Sequence, residues 1–220
     1  MKYVIMCGGT YKDFSQPKAL TEVNGEKLID RTIRLLIKES VSLDDIKISS
    51  NNEKMNEYGV THLVEVLHHE NVYVEGETEN GYWLDAFYPM DEPVCYLFGD
   101  VYYTTRGIHE IVTLRDSGNV LFATRNDDLK KWDEPLAYKV YDTEEFRNGI
   151  YDVKMMHRMG LCRRHPIVWE LYRYLNNLDI NVHAVKPATF VEVMDGGMDI
   201  DKPEEAKKVG DYYRKRGPDG

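Results

Sequence analysis

The stretch KYVIMCGGTYKDFSQPKAL, residues 2–20, sets the start of the fold. Residues 2–6 form a mostly apolar run that stops at Gly8-Gly9, which predicts a buried strand leading into a tight loop. Farther along, residues 27–39 carry apolar side chains at helical spacing, and a second short strand is predicted over 46–49. The order strand, loop, helix, strand is typical of a right-handed βαβ unit with a largely parallel sheet.

The rest of the chain continues this alternation. Further strands are predicted at 64–67, 94–98, 120–124, 137–140 and 182–185, and further helices at 82–87, 106–116, 166–176 and 203–216. Internal repeats and linkers rich in Pro, Gly or Ser are absent from the sequence. We therefore expect one α/β domain over residues 1–216, Rossmann-like, with a mixed, mostly parallel sheet flanked by helices and a flexible tail at 217–220.

The charge of the chain limits its partners. Its 220 residues include 28 Lys and Arg against 38 Asp and Glu, a net charge of −10. So negative a surface repels nucleic-acid phosphates, and we expect no nucleic-acid partner. A small phosphorylated ligand stays compatible, because local N–H groups, lysines or a divalent metal can reverse the field inside one pocket.

Compartment and redox state follow from other sequence features. No apolar run approaches the ~18 residues of a membrane span, and the run after Met1-Lys2 is too short for a signal peptide. The three cysteines show no Cys-x-x-Cys spacing, which predicts reduced thiols. We expect a cytoplasmic protein without a membrane partner. The adjacent His68 and His69 are interpreted as surface residues rather than zinc ligands.

Three features fall where an open α/β sheet places ligands, beyond the carboxyl ends of its strands. The first is the loop after the first strand, where paired glycines expose backbone N–H groups to a phosphate and Lys18 adds a positive charge. The second is Gly99-Asp100 after an apolar strand, where a carboxylate suits Mg²⁺ but is also common in turns. The third is Asp199 and Asp201 before the last helix, although Asp201 with Glu204 also fits a helix-capping box.

These features, in this order, resemble the nucleoside-triphosphate transferase family with the GT-A-like fold. The match lies in Gly8-Gly9 followed by Pro17-Lys18-Ala19-Leu20, in Asp100, and in Asp201-Lys202-Pro203-Glu204-Glu205. Because the chain is short, it is most similar to compact bacterial cytidylyltransferases of surface-polysaccharide pathways, of the phosphocholine or phosphoglutamine type.

The resemblance implies a reaction and a set of site residues. A nucleoside triphosphate, CTP being favoured, would be joined to a phosphorylated small acceptor with release of pyrophosphate, for capsule or other surface-glycan synthesis. The cofactor would be Mg²⁺. The implied residues are Lys18 as the catalytic residue; Gly8, Gly9, Thr10, Lys12, Lys18, Gly81 and Asp100 for the nucleotide; Lys154 for the acceptor phosphate; and Asp100 and Asp201 for the metal.

The sequence also departs from the family pattern. Most relatives carry an arginine in the first loop, so Lys12 would take its role here, and Tyr82 stands where a small hydroxyl residue is usual. These departures leave open the nucleotide and the choice between Asp199 and Asp201 as second metal ligand. A metal-dependent GT-A glycosyltransferase and a non-catalytic nucleotide-binding domain are the alternative functions, and the identity of the acceptor and any homo-oligomer are left open.

Overall fold

A computed structural model describes residues 1–8, 13–69, 82–114, 118–126, 131–194 and 196–215, with the backbone alone described at 125–126 and 131–133. Within these residues the chain forms a seven-stranded sheet with helices packed against it, and two small two-stranded sheets. The strands are β1 (Lys2–Met6), β2 (Glu22–Val23), β3 (Glu26–Lys27), β4 (Ile46–Ser49), β5 (Glu65–Leu67), β6 (Val94–Phe98), β7 (Val101–Tyr103), β8 (Val120–Asn126), β9 (Lys131–Val140), β10 (Phe190–Glu192) and β11 (Gly197–Asp199).

The helices of the described residues connect these strands. They are α1 (Leu28–Lys38), α2 (Glu53–His62), α3 (Thr105–Thr113), α4 (Thr143–Arg158), α5 (Val168–Leu175) and α6 (Glu205–Arg214), with short 3₁₀ helices at Lys18–Leu20, Leu43–Asp45, Trp83–Ala86 and Pro187–Thr189. In the described residues no helix combines the length and apolar character needed to cross a bilayer.

The large sheet has the strand order β10-β8-β9-β6-β1-β4-β5 and is mostly parallel. Strand β1 lies near its centre and pairs in parallel with β4 and β6, so four of its five residues are buried. Strand β9 runs antiparallel to both β6 and β8. The expected single α/β domain with a mixed, mostly parallel sheet is therefore confirmed.

Helix α4 runs from the amino ends of the parallel strands toward their carboxyl ends. Strand β9 ends with Val140 opposite Val94, at the amino end of β6. The 16 residues of α4 then rise by ~24 Å, which spans a five-residue strand. Phe146, early in α4, stacks on Tyr96 of β6 with ring centres 5.7 Å apart. The last turns of α4 consequently lie toward the carboxyl ends of the parallel strands.

A second, smaller core holds the C-terminal part of the chain. Strand β11 pairs antiparallel with β7, and we call this pair the β7–β11 ribbon. Helix α6 covers it, and Tyr213 of α6 stacks on Tyr102 of β7 with ring centres 5.0 Å apart. The buried members of this core are Val23, Leu28, Tyr102, Ile200, Val209 and Tyr213. The ribbon is thus fixed to the rest of the domain by apolar packing.

Some predicted elements differ from the structure. The strand predicted at 182–185 is wrong: that segment forms no strand, Val182 is half exposed, and the strand pairing with β8 is β10 instead. The helix predicted at 82–87 is a 3₁₀ helix over Trp83–Ala86, and α2 and α4 were not predicted. The expected tail at 217–220 lies outside the described residues, and its flexibility stays a prediction.

Candidate active site

Lys18 is the centre of the site that the structure assembles. It follows Pro17 and begins the 3₁₀ helix Lys18–Leu20. Its side chain is only 6% exposed, and its Nζ donates hydrogen bonds to Oδ1 of Asp201 at 2.8 Å and to Oδ2 of Asp100 at 3.3 Å. Three residues that are far apart in the sequence therefore meet at one ammonium group.

Asp100 reaches Lys18 because the ends of β1 and β6 approach closely. The N–H of Gly99 donates to the carbonyl oxygen of Met6 at 3.0 Å. A Cβ atom at position 99 would lie 2.5 Å from that oxygen and 2.9 Å from Sγ of Cys7, so only glycine fits without displacing β1. The carboxylate of Asp100 consequently emerges beside the loop that follows β1.

The β7–β11 ribbon brings Asp201 to the same place. Asp199 of β11 pairs with Val101, and the N–H of Ile200 donates to the carbonyl oxygen of Asp100 at 3.0 Å. This backbone bond lies directly between the two aspartates that contact Lys18. The ribbon therefore determines how closely Asp201 approaches Asp100.

The helix-capping interpretation of Asp201 is wrong. A carboxylate oxygen of Glu205 accepts the N–H groups of Asp201 and Lys202, at 2.9 and 3.0 Å, and Glu204 makes no side-chain cap bond at the start of α6. The Asp201 carboxylate instead accepts the hydrogen bond from Lys18.

Asp199 lies near the other carboxylates of the site. Burial, followed by the charges of Glu134, Asp201 and Asp100, raises its pKa to about 8, although Lys18 acts to lower it. Negative charge around Lys18 thus exceeds what one ammonium group neutralises. Among the described residues, no group of three or more His, Cys, Asp or Glu side chains is arranged as a metal cage.

Gly8 packs against a histidine that sequence reasoning misplaced. His69 was expected at the surface, but its side chain is buried, 7% exposed. A Cβ at position 8 would lie 2.8 Å from Nε2 of His69 and 3.7 Å from Cβ of Ala86. The His69 ring therefore supports the backbone at the start of the predicted phosphate loop. Adjacent histidines without partner cysteines carried no signal of this burial.

Lys154 lies in a separate group on α4. Its Nζ donates to Oδ1 of Asp85 and lies 5.2 Å from the ring centre of Tyr82. The hydroxyl of Tyr82 is 3.1 Å from Nδ1 of His157, and the His165 ring stacks on Tyr82 with centres 4.8 Å apart. Lys154 thus pairs with Asp85, whereas Lys18 pairs with Asp100 and Asp201.

The Lys154 group nevertheless belongs to the same edge of the sheet. The 3₁₀ helix Trp83–Ala86 accepts a hydrogen bond from Ser49, at the carboxyl end of β4, through the carbonyl oxygen of Ala86 at 2.7 Å. Trp83 stacks on Phe98, the last residue of β6, with ring centres 5.4 Å apart. The group thus lies beside the strand ends from which Asp100 emerges. Gly9, Thr10, Lys12 and Gly81 lie outside the described residues.

Comparison with known proteins supports this architecture. No family model and no curated protein matches the chain. Solved structures do. A nucleotidyl transferase from Methanothermobacter thermautotroptrophicus matches with a TM-score of 0.62 and 13% identity, over 98% of both chains. The CTP:phosphocholine cytidylyltransferase from Streptococcus pneumoniae matches with a TM-score of 0.56 and 15% identity, over 96% of this chain and 98% of that one. The inositol-1-phosphate CTP transferase from T. maritima matches with a TM-score of 0.57 and 14% identity, over 97% and 95%.

The chain has the nucleotidyltransferase fold. The resemblance drawn from the sequence motifs is therefore confirmed at the level of the fold. At these identities the likeness shows a shared fold and does not extend to activity.

Proposed function

We propose that this protein is a nucleotidyltransferase that joins a nucleoside triphosphate to a phosphorylated small acceptor and releases pyrophosphate. The observation that carries the proposal is the meeting of Lys18, Asp100 and Asp201 at the carboxyl edge of the sheet. A buried ammonium and two carboxylates at this edge are suited to a triphosphate and its counter-ion. The fold shared with solved nucleotidyltransferases is consistent with this chemistry.

The reaction needs positioning and charge neutralisation more than covalent participation by the protein. An oxygen of the acceptor phosphate forms a bond to the α-phosphorus. The bond from that phosphorus to the α,β-bridging oxygen breaks, and pyrophosphate leaves with the electron pair. The acceptor phosphate is already ionised at neutral pH, so no side chain has to remove a proton. Lys18 neutralises charge on the α-phosphate, and the backbone of the loop beginning at Gly8 donates to the phosphates.

Asp100 and Asp201 are the residues that would hold Mg²⁺. Both already face one cation, the Lys18 ammonium, and Mg²⁺ is commonly held by one or two carboxylates together with substrate phosphates. When bound, the ion neutralises charge on the α-phosphate and the leaving pyrophosphate. Asp201 is preferred to Asp199 as second ligand because its carboxylate is the one that contacts Lys18.

Lys154 is proposed to bind the acceptor phosphate. It lies near the end of α4, beside the strand ends that carry Asp100, and its side chain is 21% exposed. An incoming phosphate would compete with Asp85 for its ammonium group. Lys154→Ala should therefore raise KM for the acceptor and leave KM for the triphosphate unchanged, in initial-rate measurements with one substrate varied at a time.

CTP is the proposed nucleotide, and a cytoplasmic role in capsule or other surface-glycan synthesis is the proposed context. The support is the sequence resemblance to compact cytidylyltransferases, together with two CTP-using proteins among the similar structures. Rates measured side by side with CTP, UTP, dTTP and GTP test the choice. A tenfold preference for another nucleotide would overturn CTP but leave the reaction class intact.

The deciding assay measures pyrophosphate release with Mg²⁺, each triphosphate and a panel of phosphorylated acceptors that includes phosphocholine and sugar 1-phosphates. We expect Lys18→Ala to lower kcat/KM by at least ~100-fold, the scale of losing one preorganised charge stabiliser. Lys207→Ala is the matched control, because Lys207 pairs with Asp211 on the exposed face of α6. Transfer from a nucleotide sugar without pyrophosphate release would indicate a glycosyltransferase, and Mg²⁺-dependent CTP binding without turnover would indicate a binding domain.

A further inference from the structure

The ammonium group of Lys18 occupies the space between the two carboxylates that would hold the metal. Its Nζ lies 2.8 Å from Asp201 and 3.3 Å from Asp100. Mg²⁺ sits 2.0–2.1 Å from its oxygen ligands in proteins. A metal ion that bridged these two oxygens on the side now occupied by the ammonium would overlap it, so lysine and metal cannot share this position.

We propose that Lys18 is an internal counter-cation that excludes the divalent metal from the nucleotide-free protein. In that state its ammonium holds Asp100 and Asp201 together. The arriving triphosphate offers oxygen atoms that draw Lys18 away from the carboxylates, and the metal enters with the nucleotide. The inference rests on the proposed function for the identity of the metal and the phosphate ligand.

The charges of the site explain why such an exchange is favourable. Two carboxylates held close together repel each other unless a cation lies between them. If Lys18 leaves only as the metal arrives, the two carboxylates never face each other without a cation.

The exposed fractions of the three side chains indicate from which side the metal and nucleotide arrive. The Lys18 side chain is 6% exposed, whereas that of Asp201 is 69% exposed and that of Asp100 is 29% exposed. The lysine thus reaches the carboxylates from inside the protein, and Asp201 faces solvent. A metal–nucleotide complex can approach from the Asp201 side without opening the domain.

The test measures binding of Mn²⁺ alone to the nucleotide-free protein, through the loss of the free Mn²⁺ signal in electron paramagnetic resonance. We expect Lys18→Met, which keeps the length of the side chain and removes its charge, to lower the Kd for Mn²⁺ at least about tenfold. Lys18→Arg keeps the charge and should bind Mn²⁺ as weakly as wild type. Lys207→Met, which removes a lysine from an exposed pair on α6, should not change the Kd. A Lys18→Met protein that binds Mn²⁺ no more tightly than wild type would overturn the proposal.

Wild-type protein supplies a second readout if Lys18→Met does not fold. Modification of Lys18 by an amine reagent, followed by mass spectrometry, should be slow in the nucleotide-free protein. It should become faster at Mn²⁺ concentrations that saturate the site, because the metal displaces the ammonium. Mn²⁺ binding that leaves Lys18 as protected as before would show that lysine and metal coexist, and the proposal would be wrong. Neither measurement uses turnover, so absence of pyrophosphate release would count against the proposed function alone.

Discussion

Replacing Asp199 by asparagine should make the protein more stable at alkaline pH. Its carboxyl has a pKa of about 8 in the folded protein, against 3.8 for an ordinary aspartate, because burial and the neighbouring carboxylates disfavour its charged form. Between these two values the folded protein binds a proton that the unfolded chain has released. The free energy of unfolding therefore falls as the pH rises through this window, and the penalty is complete above about pH 8.

The size of the effect follows from the same values. The limit is ~1.4 kcal/mol per pH unit over the window. The pKa of Asp199 also depends on the charges of Glu134, Asp201 and Asp100, which the substitution leaves in place, so we expect only part of this limit. We expect the stability of Asp199→Asn relative to wild type to rise by about 2 kcal/mol between pH 5 and pH 8.

Urea unfolding at pH 5, 7 and 9, with a chelator and constant ionic strength, measures this difference. Asp211→Asn is the control, because the pKa of Asp211 is lowered by its bond to Lys207 and the variant should gain no stability at alkaline pH. Parallel stability curves for Asp199→Asn and wild type from pH 5 to 9 would refute the argument that the site carries surplus negative charge.

Three further predictions test a residue of the site and the residues that hold the site in place. Asp201→Asn should lower kcat/KM at least ~100-fold with little change in the urea midpoint, and an active Asp201→Asn enzyme would move the second ligand to another residue. Glu205→Gln should instead cost about 1 kcal/mol of unfolding free energy, because it weakens the hydrogen bonds at the start of α6. Tyr103→Phe should lower the free energy of unfolding in urea by about 1–3 kcal/mol, because the buried Tyr103 hydroxyl bonds to the backbone of β6 and β9 beside Gly99-Asp100. A loss below about 0.5 kcal/mol, which is typical of ordinary surface substitutions, would contradict this. Gly107→Ala should lower the melting temperature and the activity together, because its Cβ would clash with the carbonyl group of Gly196 beside the ribbon. Gly118→Ala is the control: its Cβ would meet nothing within 4 Å, so both the melting temperature and the activity should stay unchanged.

The first half of the site could be predicted because its signals are local. An apolar run that stops at Gly8 marks the end of a strand, and the loop after it ends in Pro17-Lys18, while Gly99-Asp100 directly follows another predicted strand. Parallel strand ends share one edge of a sheet, so these groups were expected to lie near each other. Contact between Lys18 and Asp100 agrees with that expectation.

The rest depends on contacts that a single sequence does not display. Asp201 is placed by backbone pairing between β7 and β11, two three-residue strands too short for a periodic signal. The segment 182–185 has strand-like residues but no neighbouring strand to pair with, and Phe190 pairs with β8 instead. Helix α4 did carry a signal, since Asp142 caps it by accepting the N–H of Glu145, but only Phe146, Gly149 and Val153 of its residues are buried, so its apolar face is narrow.

Because β11 comes late in the chain, the seven-stranded sheet can form before the candidate site is complete. During synthesis, every strand of the seven-stranded sheet has left the ribosome once β10, ending at Glu192, has emerged. The ribbon and Asp201 follow only afterwards. A nascent chain can therefore build its main core before Asp201 is available to Lys18. A product that stops before residue 196 would contain every strand of the seven-stranded sheet but would lack β11 and Asp201, and therefore one of the two carboxylates that contact Lys18.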